Sequence, residues 1–372
     1  MHWITQFRWR RAIRRSGVVS LAVLLGCSTF FNVGCSQGAP GSRAIPPLRL
    51  IQEIPLPGVQ GRIDHFTVDA ERERLIFSAL GNNTVEIVSL FAGKVVHSIP
   101  GLDGPQGVLY VPENDRIVIA NSGDGKVKVF NGTSFDLLKT LDFGKDPDNI
   151  RYDPIAKKIY VGYGEDESGA IGIIDATTYE RLSGDYNLGG GHPESFQLES
   201  SGPKIFVNDP DGGSVTLTID RITRAVSKWQ LNGNRFNFPM ALDEADHRLF
   251  VGTRRPSRLI VLNTQTGNIV TTLTCAGDTD DLYYDPHSKR VYIIGGEGMI
   301  SVVQQKDPDD YELKGSIPSS SAHERDSTFP HMTPIAFTWR FHLMRGKVRN
   351  YGFMRCRIER FAKMALAFRM EG

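Results

Sequence analysis

The chain has 372 residues, a formal net charge of +1 at pH 7 and four cysteines. Because the cysteines contain no CxxC pair, they exclude a disulfide scaffold and a cysteine-based metal box. No apolar run after the first 35 residues is long enough for a membrane helix.

The first 35 residues have the organisation of an export signal. Five arginines precede the apolar run Gly17–Leu25, which is too short to span a bilayer comfortably. Small residues stand directly before Cys27 and Cys35, as in bacterial lipoprotein cleavage sites. We prefer Cys35 as the lipidated residue because the polar, flexible linker 36–48 follows it. An ordinary cleaved signal with incidental cysteines is the alternative.

A short motif, in which a basic residue precedes a run of β-branched, aromatic and other apolar residues, recurs six times in the body of the chain. Its first apolar residues, which we call the anchors, lie 42 to 46 residues apart and are Leu75, Ile117, Ile159, Ile205, Leu249 and Val291. A period in the low forties with four short strands per copy is typical of β-propeller blades. The third copy predicts a strand at Asn149–Asp153, a turn at Asp153-Pro154 and a second strand at Lys158–Val161.

The pattern predicts an all-β fold, a seven-bladed type of β-propeller over residues 49–321 with six complete blades and an incomplete last blade. The segment Arg49–Pro57 alternates like an outermost strand, and such an N-terminal strand commonly completes the last blade of a propeller. Its three partner strands are missing because the repeat stops at Ser321. We therefore expect the inner face of the sixth blade and Arg49–Pro57 to stay open to solvent.

Residues 322–372 form an aberrant basic tail with ten Lys/Arg and four Asp/Glu. Without this tail and the five signal arginines, the body carries 28 basic and 38 acidic residues, a net charge of −10. A reading-frame error would explain the break. Permitted codons for Thr333–His342, read two bases later, encode Arg-Leu-Tyr-Val, which matches the anchor motif where a seventh copy is due. This hypothesis predicts an irregular tail away from the sheets.

Several blade segments resemble a known family, the YVTN-repeat, YncE-like seven-bladed propellers of bacteria. The similar segments are Leu75–Val88, Pro105–Pro112, Asp148–Gly164, His192–Gln197, Asn237–Asp243 and Gly277–Tyr284. The resemblance covers residues 51–320, and it implies a propeller fold and export. It implies no established reaction, although some members are associated with single-stranded DNA binding or with surface and redox-linked roles. The missing last blade departs from the family pattern.

The central funnel, where the inner strands of all blades begin, is the predicted site. Residues at or beside the position eleven before each anchor converge there, and they form the predicted ligand-binding set: Asp64, His65, Gln106, Asp148, Asn149, His192, Glu194, Asn237, Asp280 and Asp281. A divalent cation would be held by Asp64, Asp148, Glu194 and Asp280. Oxygen ligands suit Ca²⁺, whereas a histidine pair suits a transition ion. The alternative is that these residues only hydrogen-bond neighbouring backbone.

Two functions from different classes remain open. The first is an exported, non-catalytic binding or scaffold module that takes a protein, glycan or small ligand and is held at the membrane by its lipid. The second is a metal-dependent, lactonase-like hydrolase of the Ca²⁺ type. We prefer binding because no general base is separable from the possible metal ligands. Single-stranded DNA binding follows from the resemblance alone, and an acidic body lacks the basic stripe that phosphate contacts need.

Overall fold

A computed structural model of the chain describes residues 46–165 and 168–319, together with the backbone of Leu366–Phe368. The predicted export signal, most of the linker and the rest of the basic tail lie outside the described residues. Lipidation at Cys27 or Cys35 and the reading-frame hypothesis therefore stay predictions. Within the described ranges, no helix has the length and apolar character needed to cross a membrane.

Six four-stranded antiparallel sheets follow one another along the chain, as predicted. Blades 1 and 2 consist of β2 (Phe66–Asp69), β3 (Arg74–Ala79), β4 (Thr84–Ser89), β5 (Lys94–Ile99), β6 (Pro105–Val111), β7 (Arg116–Asn121), β8 (Lys126–Asn131) and β9 (Leu137–Asp142). Blades 3 and 4 consist of β10 (Ile150–Asp153), β11 (Lys158–Tyr163), β12 (Ala170–Asp175), β13 (Arg181–Asn187), β14 (Ser195–Leu198), β15 (Lys204–Asp209), β16 (Val215–Asp220) and β17 (Val226–Gln230). Blades 5 and 6 consist of β18 (Arg235–Asp243), β19 (Arg248–Arg255), β20 (Ser257–Asn263), β21 (Ile269–Thr274), β22 (Thr279–Asp285), β23 (Arg290–Gly295), β24 (Met299–Gln305) and β25 (Tyr311–Pro318). A 3-10 turn, Leu80–Asn82, joins β3 to β4.

Blade 3 shows how the repeated sequence produces each inner hairpin. Asp153 ends β10, and its Oδ1 accepts hydrogen bonds from the backbone N–H groups of Ile155 and Ala156 at 3.0 and 2.9 Å. This Asx turn and the left-handed φ of +51° at Lys157 reverse the chain. β11 then pairs with β10 in antiparallel register, with Ile159 opposite Tyr152. The predicted strand–turn–strand unit is confirmed.

The hydrophobic core lies mainly between neighbouring blades. Ile76 and Ile87 of blade 1, for example, share one buried cluster with Ile117 and Ile119 of blade 2. Strands such as β3 are buried along their whole length because a blade is covered on both faces. Each fully buried Ile or Phe contributes about 1.5–3 kcal/mol relative to an exposed one, so every blade depends on its neighbours.

The first and sixth blades share a core, which corrects the expectation that the inner face of the sixth blade stays open. Phe77 of blade 1 and Tyr292 of blade 6 lie in the same buried cluster, and the rings of Phe66 and Tyr283 are 6.1 Å apart. The two terminal blades have complementary apolar faces, so packing them together removes both from water.

The N-terminal segment lies beside this junction. β1 (Leu50–Glu53) pairs antiparallel with β26 (Leu366–Phe368) in a separate two-stranded sheet. Leu48 and Ile54, on either side of β1, are buried in the cluster shared by blades 1 and 6. The expectation that Arg49–Pro57 stays open to solvent is therefore wrong for Ile54, whereas β1 is only weakly paired, with a register shift between Leu50 and Gln52. A two-stranded sheet beside six complete blades is compatible with an incomplete last blade.

Candidate ligand-binding funnel

A cavity of about 650 Å³ lies where the inner strands begin. Hydrogen bonds to the next strand fix the backbone at its wall. In blade 1, Asp64 N donates to Ser78 O at 2.8 Å and Ser78 N donates to His65 O at 2.9 Å. In blade 3, Asp148 N donates to Gly162 O in the same way, at 2.9 Å. The repeat therefore presents equivalent side chains from different blades to one opening.

Asp64, His65 and Asp148 form the centre of the funnel wall. His65 Nε2 lies 3.2 Å from Asp148 Oδ1 and 3.6 Å from Asp64 Oδ1. Asp64 is 4% exposed and Asp148 is 6% exposed, so both carboxylates are nearly removed from water. One atom from each of the three residues lies within 4.8 Å of the other two, an arrangement that could hold a metal ion.

His192 approaches Asp148 from blade 4. Its Nδ1 lies 2.7 Å from Gly164 O, and because a carbonyl only accepts, this nitrogen carries the hydrogen. Its Nε2 lies 3.9 Å from Asp148 Oδ2. Burial lowers the pKa of His192, but the neighbouring Asp148, Gly164 and Asp146 outweigh burial and raise the pKa to about 9. Burial likewise disfavours the Asp148 charge, yet His65 and His192 hold its pKa well below the ordinary value.

Glu194 is the carboxyl group that titrates near neutrality. Burial first, and then repulsion from Asp148, raise its pKa to about 7. Its backbone is fixed, since Glu194 N donates to Asn208 O at 3.2 Å and its carbonyl accepts from Asn149 Nδ2 at 2.5 Å. The pKa of Asp148 is therefore below its ordinary value and the pKa of Glu194 is above its ordinary value, although both carboxyl groups lie in one cavity.

Two of the three described arginines that line the funnel, Arg62 and Arg254, pair with its carboxylates. Arg62 Nη2 lies 2.8 Å from Asp64 Oδ2, and attraction to Asp64 raises the pKa of this guanidinium despite its partial burial. Arg254 Nη2 donates to Asp280 Oδ1 at 2.8 Å, and its guanidinium lies 3.9 Å from the centre of the Phe238 ring. Asp64 and Asp280 are therefore each paired with a guanidinium group.

The structure brings most predicted ligand-binding residues together, but not all of them. Gln106 lines the cavity and donates to Asp146 Oδ1 at 3.0 Å. Asp281 also lines it and contacts Tyr283 by a side-chain hydrogen bond. Asn237 does not line this cavity. It is fully buried between blades and donates to Asn208 Oδ1 at 3.0 Å.

Of the four proposed metal ligands, Asp64 and Asp148 lie together, with His65 as their third member. Asp280 is outside this group and forms an ion pair with Arg254. Glu194 lines the same cavity without belonging to the group.

Ser195 has no arrangement suited to a nucleophile. Its hydroxyl donates to the carbonyl of Phe238 and accepts from Asn208 Nδ2 at 3.2 Å. A serine nucleophile instead needs a hydrogen bond to a general base. Ser195 therefore joins blade 4 to blade 5.

The sequence of the chain is similar to that of known proteins over part of its length. No family model matches the chain. The uncharacterized protein YncE of Salmonella typhi is 23% identical over 163 residues, which is 43% of this chain and 45% of that protein. YncE of Salmonella typhimurium matches with the same figures. The chain is a β-propeller that is similar to YncE in part of its sequence.

The fold of the chain is also similar to that of a solved structure. Hydrazine synthase of Kuenenia stuttgartiensis superposes with a TM-score of 0.61 at 16% identity, covering 72% of this chain and 88% of that one. At this identity the likeness shows the fold alone. The match to YncE spans less than half of that protein's length, so activity and partners are matters for proposal.

The sequence alone did not indicate four residues of the funnel: Arg62, Asp146, Arg254 and Gly107. Arg62 and Asp146 stand two residues before Asp64 and Asp148, so an alignment two positions further upstream would have found them. Gly107 occupies the position of His65 in blade 2, and a Cβ there would overlap the carbonyl oxygen of Asp148. Its missing side chain lets the start of β10 approach the axis.

Proposed function

We propose that this propeller is a non-catalytic binding module whose central funnel takes a small, neutral, polyhydroxylated ligand such as a mono- to trisaccharide. The pairing of the charges around the cavity is the observation that carries the proposal. Arg62 pairs with Asp64, and Arg254 pairs with Asp280. His192 Nδ1 lies 3.6 Å from Asp146 Oδ2.

Paired charges favour a neutral ligand over a charged one. A charged organic ligand that contacts Asp64, Asp280 or Asp146 competes with the basic group already paired with that carboxylate, whereas a neutral ligand does not. A hydroxyl group can donate to Glu194 or Asp280 and accept from Gln106 or Arg62 while the pairs stay formed. The cavity volume of about 650 Å³ lies within the range of small-ligand sites.

The proposal is tested with a panel of neutral mono- to trisaccharides, succinate and putrescine, using isothermal titration calorimetry at pH 7. We expect binding of at least one saccharide and tenfold or more weakening in Gln106→Ala. Lys139→Ala, on the outer strand β9, is the control and keeps the affinity of the unmodified chain. Preferred binding of succinate or putrescine, or equal affinity in the two variants, would refute the proposal.

A metal-dependent, lactonase-like hydrolase is the second candidate, favoured by the pKa of about 7 at Glu194, which suits a general base. Lactone turnover is measured with and without added Zn²⁺. Turnover that requires metal and falls at least about a hundredfold in Glu194→Gln supports the hydrolase. Absence of turnover leaves the binding module.

We also propose that the propeller is exported and held by a lipid on Cys35. The arginine-rich, apolar N-terminal sequence and the polar linker support this proposal. Metabolic labelling with a radioactive fatty acid should mark the chain and leave Cys35→Ala unlabelled. Labelling lost only in Cys27→Ala would place the lipid on the other cysteine, and unlabelled, secreted protein would refute the anchor.

A further inference from the structure

We infer that Asp64, His65 and Asp148 form a binding site for a divalent metal ion of the Zn²⁺ or Mn²⁺ class, with open positions facing the funnel. This inference goes beyond the saccharide proposal and does not depend on which organic ligand binds. It also replaces the ligand set that the sequence predicted, because His65 enters the set while Glu194 and Asp280 leave it.

The distances between the three side chains match the edges of a metal coordination polyhedron. Ligand bonds of about 2.0–2.2 Å place neighbouring donor atoms about 3.0–3.5 Å apart in octahedral or tetrahedral geometry. His65 Nε2 lies 3.2 Å from Asp148 Oδ1 and 3.6 Å from Asp64 Oδ1. The remaining edge, between the two carboxylates, lies within 4.8 Å and needs an approach of about 1 Å.

A buried hydrogen-bond acceptor, Asp148 Oδ1, lies within this group of three side chains. Asp148 Oδ1 is buried and accepts no hydrogen bond from the described residues, although His65 Nε2 is 3.2 Å away. An unsatisfied buried carboxylate oxygen costs free energy that a bound cation would offset.

The outer oxygen of each carboxylate is contacted by a different group, which leaves the inner oxygen for the ion. Arg62 Nη2 lies 2.8 Å from Asp64 Oδ2. Asn149 Nδ2 donates to Asp148 Oδ2 at 3.5 Å, and His192 Nε2 lies 3.9 Å from the same atom. Contacts of this kind orient metal-ligating carboxylates in known sites.

The composition of the group selects the ion. Ca²⁺ takes six to eight oxygen ligands, whereas this group offers two carboxylates and one imidazole. Imidazole suits Zn²⁺ and related ions, and carboxylates also suit Mn²⁺. Three protein ligands leave coordination positions open toward the cavity, as in sites where the metal also contacts water or a ligand.

The test is equilibrium binding of Zn²⁺, Mn²⁺ and Ca²⁺ to the full chain after chelator treatment, in the absence of saccharide. We expect about one Zn²⁺ or Mn²⁺ per chain and at least tenfold weaker Ca²⁺ binding. His65→Ala and Asp148→Asn should each weaken Zn²⁺ binding at least tenfold. The matched controls are His97→Ala, whose ring stacks on Phe135 away from the funnel, and Asp115→Asn; both should bind as the unmodified chain does.

X-ray absorption at the zinc edge of the unmodified chain gives a second readout that needs no variant. The expected spectrum shows one imidazole nitrogen, the remaining ligands being oxygen, and no sulfur. A sulfur ligand, two or more imidazoles, tighter Ca²⁺ than Zn²⁺ binding, or Zn²⁺ affinity unchanged in both His65→Ala and Asp148→Asn would overturn the inference. Circular dichroism of each variant separates loss of the ligand from loss of the fold.

Discussion

Gly107→Ala tests whether the close packing of blades 2 and 3 positions the side chains of the funnel. A Cβ at Gly107 would overlap the carbonyl oxygen of Asp148 and lie 3.0 Å from both its carbonyl carbon and Ile150 Cγ1. Relief requires the start of β10 to move by about 1 Å, at a cost of about 1–3 kcal/mol for overpacking. For a domain of this size, that cost lowers Tm by roughly 2–10 °C.

The same movement carries Asp148 away from His65, so Zn²⁺ affinity and saccharide affinity should both fall at least tenfold. Differential scanning calorimetry and binding titrations measure the two effects. Gly144→Ala is the control, because its φ of +86° makes alanine strained while nothing lies within 4 Å of the added Cβ. It should lose about 1 kcal/mol of stability and keep both affinities. Unchanged binding in Gly107→Ala would refute the packing argument.

The remaining predictions concern charge and the end of the chain. Burial raises the folded-state pKa of Glu194 from 4.5 to about 7, so the folded state loses stability as the pH rises through that window. Glu194→Gln should therefore raise stability by about 3 kcal/mol at pH 8 and not at pH 4. An unchanged difference across this pH range would contradict the burial of Glu194. The imidazole of His192, followed by NMR, should titrate near pH 9 and at lower pH in Asp148→Asn; a midpoint near 6.5 would refute their contact. A chain ending at Ser321 should show no salt-dependent binding of single-stranded DNA, because its body carries a net charge of −10, and micromolar affinity at physiological salt would contradict this. Resequencing the gene should restore a seventh anchor motif after Val291, and the restored chain should melt at a higher temperature; an unaltered sequence would end the reading-frame hypothesis.

The sequence predicts the blades well because the same physical constraint recurs in each copy. Asp153 illustrates this: its position before a turn and a buried strand is enough to locate β10 and β11 within about one residue at the turn. The closure between blades 1 and 6 could not be predicted in this way. Phe77 and Tyr292 belong to ordinary strands, and their packing together depends on the three-dimensional arrangement of the ring.

The sequence predicts where the funnel lies, but it does not predict which of the funnel's side chains contact one another. Aligning the repeats places Asp64, Asp148 and Glu194 at one opening because equivalent positions of different blades face the axis. Alignment cannot show which neighbours fill the space between them. His65 Nε2 reaches Asp148 Oδ1 at 3.2 Å and so joins the carboxylates, whereas Arg254 pairs with Asp280 from a different strand, outside the group.

Carbodiimide labelling of carboxylates, read by mass spectrometry, tests most directly whether the funnel is the binding site. The labelling is performed on the full chain with and without a saturating saccharide identified by the calorimetric panel. Glu194 and Asp280 should be protected by the saccharide, whereas Glu180, 63% exposed on the outer side of blade 3, should be labelled equally in both samples. Protection of Glu180, or saccharide binding that leaves Glu194 and Asp280 equally labelled, would contradict a ligand site in the funnel.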